Sequence, residues 1–203
     1  MPPRRRPGQR LLDVVVAAVA LVLLSPLLLA VAAWIRLDSP GPVFFRQERV
    51  GRGGRLFRIH KFRTMVDGAA LQGLPLTVGD DARITRAGRW LRQRRLDELP
   101  QFIDVLRGDM SVVGPRPELP RYVAHYPAAL RDAVLSLRPG ITDPSSLAYI
   151  DEAGLLAAAA DPEREYVDVI LPRKLRIAAD YAARATAWSD LQVLAATAVR
   201  LLR

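Results

Sequence analysis

Hydrophobic positions divide the chain into one continuous apolar segment and a longer part that mixes apolar and polar residues. The apolar segment runs from Val14 to Ile35 and contains no charged residue. At about 1.5 Å per residue, a helix of this length can cross the ~30 Å hydrocarbon core of a bilayer. The pattern therefore predicts a membrane helix near the N-terminus, and a straight single-pass anchor is its simplest form.

Two features of this segment favour a re-entrant hairpin instead. Proline removes a backbone hydrogen bond, so a break is expected at Ser25-Pro26, where the Ser25 hydroxyl can satisfy a freed backbone group. Basic residues mark the cytoplasmic side of a membrane. They flank both ends of this segment, at Arg4, Arg5, Arg6 and Arg10 and at Arg36, Arg46, Arg49 and Arg52. A helix that enters and leaves by one face fits both features. A cleaved signal peptide, with "AVA" at 30–32 as its cleavage site, is a further alternative.

A pair of β-prone runs follows, on either side of the glycine-rich turn at 51–54. This arrangement predicts a β-hairpin. On its second strand Lys61 shares one face with Phe57 and Ile59. Residues 36–63 carry eight basic side chains against two acidic ones. The hairpin is therefore either a solvated basic surface or a surface that faces lipid headgroups or a phosphorylated substrate.

An arginine-rich stretch at 82–95 predicts an amphipathic helix. Its apolar positions are Ile84, Ala87, Trp90 and Leu91, and it has six arginines and no acid, the arginines being Arg83, Arg86, Arg89, Arg92, Arg94 and Arg95. A basic amphipathic helix beside an apolar anchor most simply lies at the membrane surface. Nucleic acid needs the same charge but leaves the anchor unexplained, and no nucleic-acid-binding module is recognisable. We therefore predict no nucleic-acid partner.

Composition narrows the chemistry further. The 203 residues include 30 Lys and Arg against 21 Asp and Glu, a formal net charge of +9. This balance indicates an anionic partner. The absence of cysteine excludes disulfides, zinc-thiolate sites and thiol catalysis. The two histidines are too few for a histidine-rich metal site.

An acidic pair, Asp97 and Glu98, follows the arginine run directly. Pro100 fits the first turn of a short apolar helix that is expected to stop at Gly108, so Asp97 is a predicted N-cap and Glu98 a first-turn acid. Helix capping alone would explain the pair. The same position also keeps a carboxylate ionised and offers N–H groups to a phosphate. An ionised aspartate beside phosphates is a competent nucleophile, and two carboxylates suit magnesium.

A proline-bracketed arginine lies downstream. Pro115 and Pro117 hold the backbone around Arg116 extended and limit its conformations. A guanidinium restricted in this way can bind a phosphate or a planar base.

Four linked motifs resemble the bacterial sugar transferase family, the monotopic polyprenyl-phosphate phosphoglycosyl transferases. They are "KFRTM" at 61–65, "LDELPQ" at 96–101, "GDMSVVGPRP" at 108–117 and "RPGIT" at 138–142. The resemblance extends from about residue 10 to the C-terminus and implies the minimal catalytic form of the family. It implies a basic flank at 1–10, a re-entrant membrane helix at 11–36 broken at Ser25-Pro26, and a catalytic domain at 37–203 on the cytoplasmic face of a bacterial inner membrane.

The resemblance also implies the reaction. A sugar-1-phosphate passes from a nucleotide sugar, usually a UDP-sugar, to undecaprenyl phosphate, and UMP leaves. This would be the first membrane step in the synthesis of a surface polysaccharide or glycoconjugate. Asp97 attacks the sugar-linked phosphate to form a covalent phosphosugar intermediate, and Glu98 assists. Mg²⁺, with Asp97 and Glu98 as its ligands, offsets the charge of the diphosphate.

Substrate binding is predicted from the same motifs. Arg92 is the expected phosphate clamp, Lys61 and Arg63 are weaker candidates, and Arg116 with its flanking prolines Pro115 and Pro117 is expected at the nucleotide. The chain departs from the family pattern at Arg94 and Arg95, where small hydroxyl residues are common, and from Asp143 onward, where it reads "DPSSLAYIDE". The sugar is therefore left open.

The predicted fold is α+β and mostly α, with the membrane helix, a small hairpin and interfacial amphipathic helices. The C-terminal region reads as helices interrupted near Pro172. It has an apolar face that either packs into the core or makes a second membrane contact, formed by Trp188, Leu191, Leu194, Ala195, Ala198 and Leu202. A non-catalytic basic protein that binds the membrane surface is the functional alternative.

Overall fold

The apolar segment forms one long helix, α1, spanning Gln9–Asp38 in the computed structural model, which describes residues 8–69 and 73–201. Most of the predicted basic flank, residues 1–7, lies outside the described residues. Within them, α1 alone is long and apolar enough to cross a membrane. A membrane helix at this place in the chain agrees with the prediction.

The structure differs from the predicted break at Ser25-Pro26, because the helical backbone continues through both residues. Pro26 lacks the N–H that would bond the carbonyl of Val22. The Ser25 hydroxyl donates to that carbonyl oxygen at 2.8 Å. The Ser25 hydroxyl thus replaces the N–H that Pro26 lacks, as anticipated for Ser25, and the helix continues across the proline.

Both ends of α1 pack on the rest of the protein, whereas its middle does not. Near the N-terminal end the Asp13 carboxylate accepts the hydroxyl of Ser111 at 2.8 and 2.9 Å. Near the other end Ile35 is buried in a cluster with Leu91. Between these ends, none of residues 18–30 is buried. The side chains that this middle part exposes are almost all apolar.

The predicted hairpin is confirmed. Strand β1, Phe44–Val50, pairs antiparallel with β2, Leu56–Phe62, across a 3-10 turn at Arg52–Gly54. The second half of β2 is covered on both faces, because Ile59 packs in one core cluster and Phe62 in another. A fully solvated hairpin is therefore wrong for this half of the strand.

The arginine-rich helix, α2, is shorter than predicted and spans Arg86–Gln93. Thr85 is the N-cap of α2, because its hydroxyl accepts the Gly88 N–H at 3.0 Å. Leu91 and Ala87 are buried as the stripe predicted. A Cβ on Gly88 would lie 2.0 Å from the carbonyl oxygen of Thr64, so glycine allows α2 to approach the end of the hairpin closely.

The next elements place two motifs side by side. Helix α3, Gln101–Arg107, ends at Gly108, whose φ of 88° is the left-handed stop expected from the sequence. Strand β3, Ser111–Val113, then pairs in parallel with β4, Gly140–Thr142. Two helices lie between these strands in the chain: α4 is Pro120–Val123 and α5 is Ala128–Leu135.

The C-terminal region is helical. Short helices α6, α7 and α8 span Pro144–Ala148, Glu152–Ala157 and Pro162–Glu165. A π-helical turn at Tyr166–Ile170 leads into α9, Leu171–Arg184, and α10 spans Ala187–Leu201. The interruption predicted near Pro172 is present as this π-helical turn, and Pro172 lies in the first turn of α9.

The apolar face predicted for the last helix is largely exposed. Trp188 is 67% exposed and Leu191 is 54% exposed, while the buried positions of α10 are Asp190 and Val193. Core packing is therefore wrong for Trp188 and Leu191. Leu202 lies outside the described residues.

Candidate active site

The acidic pair lies in a 3-10 turn, Leu96–Glu98, that precedes α3. The turn follows Arg95, which adopts a left-handed φ of 56°. Helix α3 begins at Gln101 and no side chain caps it. The prediction that Asp97 is an N-cap and that Glu98 lies in the first turn of this helix is therefore wrong, and the two carboxylates are free for other contacts.

Both carboxylates meet cations from other motifs. The Lys61 Nζ lies 2.8 Å from Asp97 Oδ2 and 3.5 Å from Glu98 Oε1. Arg116 donates to both oxygens of Glu98, at 2.6 Å to Oε1 and 3.3 Å to Oε2. The fold thus brings together β2, the acidic turn and the Pro-Arg-Pro loop, as three of the four motifs had suggested.

The pair is buried, and Glu98 is ionised. Asp97 is 2% exposed and Glu98 is 7% exposed. Burial alone would raise the pKa of Glu98, but the charges of Arg116 and Lys61 outweigh it and hold that pKa well below its usual range. Glu98 in turn raises the pKa of Arg116. Glu98 is accordingly a permanent anion near neutral pH and does not serve as a proton donor.

One carboxylate oxygen of the pair has no partner. Asp97 Oδ1 is buried and makes no hydrogen bond within the described residues. Buried polar atoms are nearly always bonded in native proteins, so an orphaned oxygen here marks a place for a ligand atom. Its position beside Lys61 and Arg116 favours a ligand that carries negative charge together with a cation that neutralises it.

Magnesium fits this donor set. Mg²⁺ takes oxygen ligands, usually one or two carboxylates together with substrate phosphates and water. Asp97 and Glu98 supply two adjacent carboxylates. Among the described residues no group of three or more acidic or histidine side chains converges to hold a metal. A resident all-protein cage is therefore not built here, which suits an ion that arrives with a phosphorylated substrate.

Arg92 is held by hydroxyl groups. Its Nε donates to Thr64 Oγ1 at 3.1 Å and its Nη1 donates to Thr77 Oγ1 at 2.9 Å. Burial lowers its pKa, while the charges of Asp97 and Glu98 act in the opposite direction. No carboxylate of the described chain forms an ion pair with it, so its charge is available to an anion near the acidic turn.

Arg63 is not brought to the carboxylates. Its guanidinium donates to the carbonyl oxygens of Pro40, Ser39 and Ile35 at 2.5, 2.7 and 3.3 Å. These groups follow or form the last turn of α1, so Arg63 satisfies the C-terminal carbonyls of the long helix. In the structure Arg63 lies at the end of α1, whereas we had predicted that it binds the substrate.

The prolines on either side of Arg116 hold their loop through carbonyl groups. The Pro115 carbonyl oxygen accepts the N–H of Gly140 at 2.9 Å, and the Pro117 carbonyl oxygen accepts Arg49 Nη1 at 3.1 Å. Within the described residues neither proline hydrogen-bonds to the acidic pair, and both prolines fix the direction of Arg116.

Sequence reasoning missed several buried polar partners. Asp104 is fully buried beside His60, and Glu118 is buried beside Tyr166. The one available signal for the first was a charged residue within the apolar helix pattern of α3. For Glu118 no local pattern distinguishes it from a solvated acid.

Comparison with known proteins gives a consistent match. The family model described as bacterial sugar transferase matches residues 4–203. The UDP-glucose:undecaprenyl-phosphate glucose-1-phosphate transferase of Caulobacter vibrioides is 41% identical over 199 residues, which are 96% of this chain and 69% of that protein. The protein of the same name from Xanthomonas campestris pv. campestris is 38% identical over 201 residues, 96% of this chain and 39% of that protein.

A third relative carries a different sugar in its name. The UDP-N-acetylgalactosamine-undecaprenyl-phosphate N-acetylgalactosaminephosphotransferase of Aeromonas hydrophila is 46% identical over 136 residues, 66% of this chain and 32% of that protein. The chain thus spans about a third of this relative and about two fifths of the Xanthomonas protein.

Proposed function

The chain belongs to the bacterial sugar transferase family, and on that basis we propose that it transfers a sugar-1-phosphate from a UDP-sugar to undecaprenyl phosphate with release of UMP. Relatives that differ in the sugar of their names share this reaction type. The observation that carries the proposal is the buried, unpartnered Oδ1 of Asp97, whose other carboxylate oxygen lies 2.8 Å from Lys61 Nζ.

The first step is attack by Asp97 on the phosphorus bonded to the sugar. The Lys61 Nζ holds Oδ2 at 2.8 Å, so Oδ1 is the oxygen that attacks. A bond forms between Oδ1 and phosphorus while the bond from that phosphorus to the bridging oxygen breaks, and UMP leaves with the electron pair. The sugar phosphate is then bonded covalently to Asp97.

The second step returns the carboxylate. A phosphate oxygen of the polyprenyl acceptor attacks the same phosphorus, the bond to Asp97 breaks, and the product is a polyprenyl diphosphosugar. Both steps bring anions together, so positive groups arranged in advance lower the barrier. Arg92 would hold a phosphate near the acidic turn, and Arg116 would bind the nucleotide.

Glu98 acts as a fixed charge. Its two oxygens align the Arg116 fork, and its lowered pKa keeps it ionised throughout. With Asp97 it would also hold Mg²⁺, which when bound supplies positive charge against the diphosphate of the donor.

The membrane arrangement is part of the proposal. The two ends of α1 pack on one body and its apolar middle is exposed. Although the helix is unbroken at Ser25-Pro26, this suits a segment that dips into the bilayer with both ends on the same face. Arg86, whose side chain is 88% exposed, and the exposed Trp188 suit contact with headgroups. The acceptor phosphate lies at this interface, and we place the enzyme on the cytoplasmic face of a bacterial inner membrane.

The decisive experiment compares the wild type with Asp97→Asn. Using a UDP-sugar radiolabelled in the β-phosphate, the wild type should acquire label in the absence of acceptor and release UMP. Asp97→Asn should do neither, and intact-protein mass spectrometry should locate the adduct on Asp97. Turnover by this variant at the wild-type rate refutes the nucleophile. Absence of UMP release by the wild type from a full panel of UDP-sugars refutes the transferase itself and favours a surface-binding protein.

A further inference from the structure

A buried polar cluster lies behind the Pro-Arg-Pro loop and takes no part in the chemistry just described. Its members are Arg49 of β1, Glu118 directly after the loop, and Tyr166 at the start of the π-helical turn. Tyr166 is 2% exposed and its hydroxyl donates to Glu118 Oε2. The cluster therefore joins the hairpin, the loop and the C-terminal helices at one carboxylate.

The carboxylate of Glu118 is fully occupied. Its Oε1 accepts the N–H of Leu119 at 2.8 Å and lies 3.5 Å from Arg49 Nη1, while its Oε2 accepts Tyr166. Burial, followed by the charge of Glu118, raises the pKa of Tyr166, so the phenol keeps its proton and remains a donor. A buried carboxylate held at both oxygens is rigid, and losing Tyr166 would leave the charged Oε2 unsatisfied.

The backbone of the loop is tied to β1 at the same place. The Val50 N–H donates to the Glu118 carbonyl oxygen at 2.9 Å, and Arg49 Nη1 donates to the Pro117 carbonyl oxygen at 3.1 Å. These bonds fix the two residues that follow Arg116. Tyr166 bonds to the side chain of Glu118 from the other side. The strand β1 and the π-helical turn therefore both hold the chain immediately after Arg116.

Packing around the loop is incomplete. Two small cavities border it, and Pro115, Arg116, Glu118 and Tyr126 line both of them. A segment flanked by cavities has fewer van der Waals contacts to define its position. The polar cluster therefore helps to orient Arg116 toward Glu98, to which the guanidinium donates at 2.6 and 3.3 Å.

We propose that Tyr166, acting through Glu118, is a positioning residue for Arg116 and thereby for the nucleotide of the donor. The inference rests on the proposed transferase function, since it concerns the same site. Tyr166 lies 50 positions beyond Arg116 in the chain and touches neither carboxylate of the acidic pair. Tyr166 affects the reaction only by fixing the direction of the Arg116 guanidinium.

A double-mutant cycle tests this coupling. Tyr166→Phe removes only the hydroxyl, and we expect it to lower kcat/KM for the UDP-sugar about tenfold or more, mainly by raising KM, because a misdirected guanidinium loses its geometry. Arg116→Lys keeps the charge but loses the bidentate fork. In that background Tyr166→Phe should cost less than about twofold further, since the geometry it protects is already gone.

Tyr122→Phe is the matched control. The Tyr122 ring packs edge-on against Tyr166 with centroids 4.9 Å apart, but its hydroxyl faces Glu163 at 3.3 Å, away from the loop. This variant should keep wild-type kcat/KM. UDP binding by calorimetry supplies a readout without turnover, and Tyr166→Phe should weaken it in the wild type but not in Arg116→Lys.

The outcomes separate the two proposals. Equal losses from Tyr166→Phe in both backgrounds, which is the signature of a merely structural role, overturn the positioning inference, as does an unchanged kcat/KM. If Tyr166→Phe does not fold, Glu118→Gln, which keeps the shape and an acceptor, enters the cycle in its place with the same expectations. A wild type that binds UDP but releases no UMP defeats the transferase proposal alone, and the binding cycle still decides the coupling.

Discussion

Asp104 holds His60 at two points: one carboxylate oxygen accepts the backbone N–H of His60 at 2.8 Å, and the other lies 2.5 Å from its ring Nδ1. Both residues are buried. The contact ties β2 to α3, and it lies one residue before Lys61. The strand that carries the lysine is thus fixed to the helix that follows Asp97.

Breaking this tie should impair the reaction through Lys61. We expect Asp104→Ala to lower kcat about tenfold, with a stability loss of about 1–3 kcal/mol from the unsatisfied groups it leaves. His60→Asn retains a side-chain donor near the position of Nδ1 and should keep most of the activity, whereas His60→Leu should not. Steady-state kinetics and thermal unfolding of the three variants check this, and equal activity of the asparagine and leucine variants would contradict it.

Arg63 should matter for stability and not for substrate binding. Arg63→Gln removes most of the donors that satisfy the carbonyl oxygens at the end of α1, and we expect a loss of about 1–3 kcal/mol in the free energy of unfolding. The KM for the UDP-sugar should stay within about twofold of the wild type, because the guanidinium does not reach the acidic pair. A large rise in KM with unchanged stability would restore the substrate-binding role that its motif suggested.

The acidic pair should leave a pH signature in stability. Arg116 and Lys61 outweigh burial and hold the pKa of Glu98 below its ordinary value of 4.5. A group with a lowered folded-state pKa stabilises the fold above its unfolded-state pKa, and this contribution is lost as the pH falls below 4.5 toward the folded-state pKa. The wild type should therefore lose thermal stability more steeply than Glu98→Gln between about pH 5 and pH 3. Parallel curves for the two proteins would show that the ion pairs contribute nothing.

Topology can be read with single cysteines, because the chain has none of its own. Gly8→Cys precedes α1 and Leu37→Cys lies at its exposed end, so a re-entrant helix makes both reactive from the cytoplasmic side. Leu23→Cys, in the exposed middle, should be protected by lipid. A membrane-impermeant thiol reagent applied to spheroplasts and to inverted vesicles measures this. Labelling of Gly8→Cys and Leu37→Cys from opposite sides would establish a straight span.

Local pattern was sufficient for the elements whose residues determine their own conformation. The continuous apolar run specifies α1, the glycine turn specifies the hairpin, and Gly108 ends α3 because it adopts a left-handed φ. The motif resemblance named Lys61 and Arg116 as substrate-binding residues, and the structure brings both to the acidic pair. In each of these cases the deciding interaction is local in sequence or is carried by a recognisable motif.

One failure has a local cause, and the others depend on a partner distant in the chain. A proline predicts a break, but the Ser25 hydroxyl keeps the helix intact. Capping rules predict that Asp97 caps α3, but its carboxylate pairs with Lys61, which lies on a strand distant in the chain. Arg63 lies in a motif with Lys61 but points to the end of α1. Charged side chains within reach of several acceptors choose by burial and geometry, which the sequence alone does not contain.

The docking of both ends of α1 bears on how this enzyme can be handled outside a membrane. Removing the first 38 residues would expose Leu91 and Phe62, take away the acceptor of the Ser111 hydroxyl, and remove the Ile35 carbonyl oxygen from the Arg63 guanidinium. Such a deletion should yield aggregates and not a protein that is soluble without detergent. Polar replacements confined to residues 18–27, where nothing is buried, offer the better route to a water-soluble enzyme that still folds.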